Sequence, residues 1–168
     1  MSVRPSLTFP ALIFLNDFDG DFSHYFNAVY EIFRRAFIVN SPTYLGVRVS
    51  AQAHPFVDGI HRTFYHITHE GEDENNRTPD IRRMERIRFP DFLINSCPHH
   101  EILVWKNQRG RDTRILMFNE AESYLTVLTE RQGYNLFWTA YPIDRNHQRR
   151  KLINEYRAYT KSASNAAN

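Results

Sequence analysis

The feature that most constrains this chain is a series of four short apolar runs between residues 101 and 141. The runs are EILVWKN, TRILMFN, YLTVLTE and YNLFWTAY, and the connectors QRGRD, EAES and RQG separate them. Their β-branched and aromatic side chains are typical of strands. Connectors this short join antiparallel neighbours. The pattern therefore predicts a four-stranded antiparallel meander.

Upstream of this meander, the sequence predicts one helix and two strands. Asp21 or Ser23 can cap a helix that runs to about Phe37, because aromatic and apolar residues recur there at three- and four-residue spacing. Residues 44–50 alternate in polarity, and residues 60–68 are rich in β-branched and aromatic side chains. Both segments are therefore predicted strands.

Two more helical regions flank the meander. Thr78 is the predicted cap of a helix with Pro79 in its first position, and Pro90 breaks or kinks that helix. Asp144 is the predicted cap of a final amphipathic helix. The order of helix, strands, helix, meander and helix indicates an α+β fold, with the N-terminal helix and strands packed on the meander.

Length and composition indicate one domain with a substantial core. The chain has 168 residues, of which 42% are hydrophobic and 14% aromatic. We predict a single domain over residues 1–160 and a small, polar, flexible tail at 161–168. Cys97 is the sole cysteine, so an intrachain disulfide is excluded and a cytoplasmic location is favoured. The short run at residues 9–15 is interpreted as a buried segment, and neither a signal peptide nor a membrane span is expected.

Arginine supplies 18 of the 21 basic side chains. A guanidinium group binds phosphate or carboxylate as a fork, which an ammonium group cannot do. Residues 77–114 carry nine basic and five acidic side chains, a local charge of +4. This patch suits a polyanion such as nucleic acid. Biased base composition or a solvated helix face would produce a similar pattern.

The residues best suited to proton transfer lie at the end of the second predicted strand: His66, His69 and Glu70. Imidazole and carboxylate groups exchange protons near neutral pH. The order H-x-x-H-E does not match the zinc helix motif, in which the glutamate lies between two histidines. Incidental histidines in a surface loop would look the same. The segment Cys97-Pro98-His99-His100 is too compressed for a known ligand pattern, so no metal site is predicted.

A short predicted helix carries three arginines within five residues, Arg82, Arg83 and Arg86. One interpretation is a clamp for phosphate. The other is a solvated face on which Glu85 pairs with Arg82 at helical spacing.

The meander carries two further groups of candidate residues. Arg109 and Arg111 flank the turn glycine of its first hairpin, and Arg114 lies within the next strand. A charged side chain in the middle of a sheet needs a partner or a ligand. Thr139 and Tyr141 share one face of the last strand, where their hydroxyl groups could bind phosphate.

Several motifs in order resemble a known group of nucleases. The motifs are FYHITHEG, RTPDIRRMERI, VWKNQRGRDTRIL and GYNLFWTAYPID followed by RRKLINEY, over about residues 60–157. They resemble small phage- and prophage-associated proteins of the barnase–EndoU–colicin–RelE-like (BECR) fold. The resemblance implies helices on a four-stranded antiparallel sheet. It also implies RNA cleavage without metal or other cofactor, by attack of the 2′-hydroxyl on the adjacent phosphate.

The resemblance further implies roles and partners. His66 or His69 would be the base or the acid, with Glu70 as a partner. Arg111 and Arg114 would hold the scissile phosphate, and Thr139 and Tyr141 would complete the pocket. The side chains expected to bind the rest of the nucleic acid are Arg82, Arg83, Arg86, Lys106 and Arg109. A toxin-like effector of this kind has RNA as its substrate and an immunity or antitoxin protein as an expected partner.

Two other functions stay open from the sequence. A non-catalytic nucleic-acid- or protein-binding module of a phage or mobile element needs the basic patch without an acid–base pair. A metal-dependent hydrolase would use His66, His69 and a carboxylate.

Overall fold

The computed structural model describes residues 4–167, in which a six-stranded sheet forms the centre of an α+β fold. A 3-10 turn precedes the first helix, and a π-helical segment follows it. The helices and strands, in chain order, are α1 (Phe22–Phe33), β1 (Thr43–Tyr44), β2 (Val47–Ser50), α2 (Arg62–Thr68), β3 (His69–Glu70), β4 (Thr78–Pro79), α3 (Ile81–Glu85), α4 (Phe89–Ser96), β5 (Leu103–Arg109), β6 (Asp112–Asn119), β7 (Tyr124–Arg131), β8 (Tyr134–Pro142) and α5 (Asn146–Ala166).

The predicted meander is confirmed, since β5, β6, β7 and β8 pair antiparallel in chain order. The hairpin formed by β1 and β2 extends this sheet. In the extended sheet, β2 runs parallel to β8, and Val49 pairs with Asn135. The strand order is therefore β1-β2-β8-β7-β6-β5. The predicted strand at 44–50 is in fact two strands, because Leu45 and Gly46 turn with positive φ.

A β-bulge in β8 breaks the alternation expected from the sequence. Val127 lies opposite Thr139, whereas the next residue of β7, Leu128, lies opposite Phe137, so Trp138 is the extra residue. Phe137 consequently packs in the main core, and Trp138 packs with the cluster on the other face of the sheet. Strict alternation along the strand would place Phe137 on the same face as Thr139, and the bulge prevents this.

The two faces of the sheet are covered differently. The main core lies between one face and the N-terminal helices, and its largest side chains include Tyr25, Phe33, Phe64 and Phe137. The other face is covered by α5 over only part of its area. There, three side chains of α5 (Leu152, Ile153 and Tyr156) pack against Trp105, Leu116 and Phe118.

The predicted strand at residues 60–68 is wrong, because the structure has helix α2 there. Its β-branched and aromatic residues point into the core at helical spacing. Phe64 is fully buried against Phe26 and Phe33, with ring centroids 5.4 and 5.3 Å away. The Thr68 hydroxyl donates to the Phe64 carbonyl oxygen at 2.7 Å, as threonine does in helices. Burial of one helical face thus outweighs the intrinsic strand preference of the segment.

Both downstream cap predictions are also wrong. Thr78 belongs to β4, and Asp80 caps α3 by accepting from the backbone N–H groups of Arg82 and Arg83. Helix α5 begins after Arg145, while Asp144 forms an ion pair with Arg82.

Helix α5 includes residues 161–166, which lie within the predicted flexible tail and have exposed side chains. Residues 1–3 and 168, at the ends of the predicted domain and tail, lie outside the described residues. Within residues 4–167, no helix combines the length and apolar character that crossing a bilayer requires.

Candidate functional site

His66 lies on α2, and its ring is within hydrogen-bond distance of a carboxylate that the sequence did not indicate. Its Nδ1 atom is 2.7 Å from Oε1 of Glu74, which follows in the loop between β3 and β4. The predicted partner, Glu70, is an exposed residue of β3. The prediction of Glu70 as the partner is therefore corrected to Glu74. The physical reason is that α2 replaces a strand and the following loop folds back over it.

Glu74 also binds two arginines. Its Oε1 atom is 3.1 Å from Nη2 of Arg77, and its Oε2 atom is 3.4 Å from Nη2 of Arg62. Burial lowers the pKa of His66 from its ordinary value, and the charge of Glu74 opposes that shift. The lowered pKa favours the neutral form of the ring. A neutral ring that donates its Nδ1–H to Glu74 presents Nε2 as a proton acceptor.

His69 has a different environment from His66. It is buried, and its ring stacks on Tyr65 with centroids 4.3 Å apart. Its Nδ1 atom lies 3.0 Å from the Thr68 hydroxyl and 3.1 Å from the Tyr65 carbonyl oxygen. The expectation that His69 works beside His66 as a second acid or base is therefore not met. Helix α2 ends at Thr68, and His69 is the extended first residue of β3, so the two rings do not share a helical face.

Two adjoining pockets form an open groove beside His66. One pocket, of about 400 Å³, contains Arg62, His66 and Glu74. The other, of about 840 Å³, lies over the part of the sheet that α5 leaves uncovered. The two pockets share Gln52 and Trp138, and together they are called the groove.

The second pocket of the groove combines cationic and aromatic side chains. Arg48 on β2 is exposed, and Arg131 at the end of β7 pairs with Asp112 at 3.2 Å. Tyr134 is 38% exposed and lines the groove, as Trp138 does. Planar rings can stack on bases, and neighbouring guanidinium groups can bind the phosphates of the same strand.

A separate cavity of about 230 Å³ lies between the sheet and α5, and is called the α5 cavity. The structure brings four of the predicted site residues together in its lining: Arg109, Arg114, Thr139 and Tyr141. The Arg114 guanidinium carbon is 5.0 Å from the centre of the Trp138 ring. The His66 ring centroid is 6.4 Å from that of Trp138. Trp138 thus contacts both sites, with His66 in the groove and Arg114 in the α5 cavity.

The arginines predicted to clamp nucleic acid are paired with carboxylates away from the groove. Arg83 is 3.2 Å from Asp80 through Nε and lies 5.2 Å from the centre of the Tyr141 ring. Arg86 pairs with Glu85 at 3.4 Å. Arg82 and Lys106 likewise form ion pairs, with Asp144 and Glu130. Each of these four cations is thus paired with a carboxylate, which lowers the positive potential around it.

The remaining predicted phosphate ligand, Arg111, is exposed in the turn between β5 and β6. It is not among the residues that line the groove or the α5 cavity. The structure therefore does not place Arg111 beside Arg114, although only three positions separate them in the sequence.

Sequence reasoning missed several groove residues for identifiable reasons. Arg62 precedes His66 by four positions, so a helical interpretation of this segment would have placed both on one face. Glu74 lies in a polar loop with no periodicity to connect it with His66. Trp138 reaches the groove through the bulge in β8, which the sequence pattern does not reveal.

His99, His100 and Glu101 have ligand atoms within 4.8 Å of one another. Backbone contacts account for this proximity. His99 binds the Pro5 carbonyl oxygen through Nε2 at 3.1 Å, and its Nδ1 accepts from the Glu101 backbone N–H at 3.1 Å. The Glu101 carboxylate accepts from the Leu7 backbone N–H at 2.6 Å. These side chains thus fasten the N-terminal segment to the start of the sheet.

The architecture defines the chain as an α+β protein with a mostly antiparallel six-stranded sheet. In comparisons with known proteins, the chain matches no protein-family model, no curated protein and no solved structure. The BECR-like arrangement implied by the resemblance therefore stays a prediction.

Proposed function

We propose that this protein binds single-stranded RNA along the groove and cleaves it without a metal ion, with His66 as the general base. The observation that carries the proposal is the contact between His66 Nδ1 and Glu74 Oε1, at 2.7 Å, inside an open groove. The motif resemblance to nucleases of the BECR fold is consistent with this function.

The chemistry follows from the His66 and Glu74 pair. The Nε2 atom of His66 takes the proton of the 2′-hydroxyl, and the 2′-oxygen attacks the adjacent phosphorus. The bond from phosphorus to the 5′-oxygen breaks, which leaves a 2′,3′-cyclic phosphate and a 5′-hydroxyl whose proton comes from water. Glu74 orients the ring and stabilises the imidazolium that forms. The Arg62 guanidinium supplies positive charge for the phosphorane.

The rest of the groove suits an extended single strand. Tyr134 and Trp138 offer rings on which bases can stack, and such stacking tolerates many sequences. Arg48 and Arg131 offer cationic groups to the phosphates on the same side of the sheet.

One observation favours a second candidate function, a module that binds RNA without cutting it. His69 is buried against Tyr65, so the groove contains one imidazole and not the pair that an acid–base mechanism would use most directly. In this alternative, His66 and Glu74 fasten the loop to α2, and the arginines and aromatic rings bind the strand.

Cleavage of a labelled single-stranded RNA in the presence of EDTA tests the two candidates. We expect products with a 2′,3′-cyclic phosphate, and loss of cleavage when a 2′-deoxynucleotide replaces the nucleotide at the cut. His66→Gln should reduce the rate by about 10²- to 10⁴-fold, the usual contribution of a general base. His147→Gln is the matched control, since His147 is exposed on α5.

The possible results separate the candidates. RNA that binds to the wild-type protein and stays intact would support the binding module. RNA that neither binds nor is cut would exclude both functions. Cleavage that persists unchanged in His66→Gln would exclude His66 as the base.

A further inference from the structure

The α5 cavity has apolar walls and lies outside the groove. Its walls come from both layers of the structure, and the apolar side chains are Leu116, Leu125, Val127, Ile143 and Leu152. At about 230 Å³, it is smaller than the usual range for drug-sized ligands, roughly 300–1,000 Å³. Any ligand must therefore be small, and most of its surface must be apolar.

Arg114 gives this cavity an unsatisfied cationic donor. Its Nε atom is buried and has no hydrogen-bond partner within residues 4–167. The guanidinium packs over Trp138, but such stacking uses the face of the group, whereas the Nε–H bond lies in its plane. A buried donor without a partner is destabilising, so an acceptor in the cavity would bind there favourably.

Asn107 provides a second unsatisfied group beside the first. It lies opposite Arg114 in the pairing of β5 with β6. Its Nδ2 atom donates to Oε1 of Glu155 at 2.7 Å, while its Oδ1 atom is buried and has no partner in the described part of the chain. The Nε–H of Arg114 is thus the free donor that a carboxylate can use, whereas Asn107 Oδ1 is a neighbouring acceptor that a carboxylate leaves unpaired.

The charge of the lining favours an anion. Three cationic side chains line the cavity, Arg109, Arg114 and Lys151, against one carboxylate, Glu155. Glu155 already accepts from Asn107. The hydroxyl groups of Thr139 and Tyr141 add polar groups that can bind an oxyanion.

We propose that the α5 cavity binds a small carboxylate that carries an apolar ring. The carboxylate accepts from Arg114, and the ring packs on the leucine and valine walls. This site is independent of the proposed RNA cleavage, because His66 and Glu74 lie in the groove on the other side of Trp138.

Fluorine NMR with 4-fluorobenzoate as the probe tests the proposal. We expect saturable binding to the full-length protein with a Kd of about 1 mM or tighter, given the small size of the probe. 4-Fluorobenzyl alcohol has the ring without the charge. Inorganic phosphate has the charge without the ring, and its binding is measured by competition with 4-fluorobenzoate. Both should bind at least about tenfold more weakly than 4-fluorobenzoate.

Two variants and a matched control locate the binding. Arg114→Gln should weaken 4-fluorobenzoate binding at least tenfold, and Thr139→Phe should abolish it by filling the cavity. Arg150→Gln removes an exposed arginine of α5 outside the cavity and should bind as the wild type does. Circular dichroism shows whether each variant folds. If Arg114→Gln does not fold, the affinity of Thr139→Phe decides whether 4-fluorobenzoate binds in the α5 cavity.

Three results would overturn the proposal. One is the absence of saturable binding up to about 10 mM probe, well above the Kd expected for so small a ligand. Another is equal binding of 4-fluorobenzoate and either control compound. The third is wild-type affinity in a folded Thr139→Phe variant.

Discussion

His66 and Glu74 are eight residues apart in the chain, and their Nδ1 and Oε1 atoms are 2.7 Å apart. The loop between them turns at Gly71, whose φ of +136° favours glycine. Arg77 then fastens the loop. It contacts Glu74 and donates to the carbonyl oxygens of His66 and His69 at 3.5 and 3.4 Å. The pair is therefore held by a loop that is anchored to the end of α2.

The pH dependence of cleavage tests this pair. Because a base must be neutral, the rate should rise with pH through the His66 pKa, which burial places below its ordinary value. The Glu74 charge raises that pKa, so Glu74→Gln should move the acid limb to lower pH and also reduce the plateau rate. The pH–rate profile of kcat/KM measures both effects. An acid limb that moves to higher pH in Glu74→Gln would contradict this role.

Trp138 should contribute to RNA affinity by stacking. Trp138→Ala should weaken binding of a single-stranded oligonucleotide by about 1–3 kcal/mol, the usual contribution of one stacked base. Fluorescence anisotropy at fixed salt measures the change. Tyr159→Ala, which removes an exposed ring of α5 outside the groove, is the control. Equal losses in the two variants would argue against a base on Trp138.

Arg48 should contribute through charge. Arg48→Gln should weaken binding to all RNA sequences by a similar factor and reduce the slope of log K against log salt by about 1. A salt titration of RNA binding from low to moderate ionic strength gives the slope. The matched variant Arg150→Gln should keep the wild-type slope, and a normal slope in Arg48→Gln would place the RNA elsewhere.

Phe64 links α2 to the main core. It is fully buried against Phe26, Tyr30 and Phe33. Phe64→Ala should reduce the free energy of unfolding by about 3–5 kcal/mol, since the cavity it leaves cannot close fully. Urea denaturation measures this loss. Phe56→Ala, at a residue that is 47% exposed, should have a much smaller effect.

His69 should make stability depend on pH. Burial lowers its pKa in the folded protein below the ordinary value of about 6.5 that it has when unfolded. At pH values below the unfolded pKa, the unfolded chain binds a proton that the folded chain does not. The free energy of unfolding therefore decreases as the pH decreases, until the pKa of the folded protein is reached. His61 and His66 act in the same direction. Urea titrations between pH 7.5 and 5 should therefore show a smaller decrease for His69→Gln than for the wild type.

The sequence predicted the meander because strand identity there depends on local features. Alternation and short connectors restrict the chain to antiparallel neighbours, whatever packs on the sheet. Residues 60–68 show the opposite case. Their β-branched and aromatic composition favours a strand, and only the fit of Phe64 into the core of α1 makes them helical. That fit depends on residues about thirty positions away, which a local pattern does not contain.

The candidate site could be predicted only in part, because some of its contacts join residues that no local sequence pattern connects. His66 was identified from its chemistry, and Arg114 from the cost of a charge within a sheet. They lie in two sites, and Trp138, the extra residue of the bulge in β8, contacts both of them. Glu74 reaches His66 through a loop without periodicity. The positive charge of Arg83 was visible in the sequence. Its pairing with Asp80 follows from the position at which α3 begins.

The parallel pairing of β2 with β8 also determines the order in which the groove can form. Val49 pairs with Asn135, so this contact joins segments 86 positions apart in the chain. Contacts between such distant segments form slowly, because a long loop must close before they are gained. Arg48 and Gln52 lie on or just after β2, whereas Tyr134 and Trp138 lie on β8. A chain still emerging from the ribosome therefore has no groove until its last strand has been made.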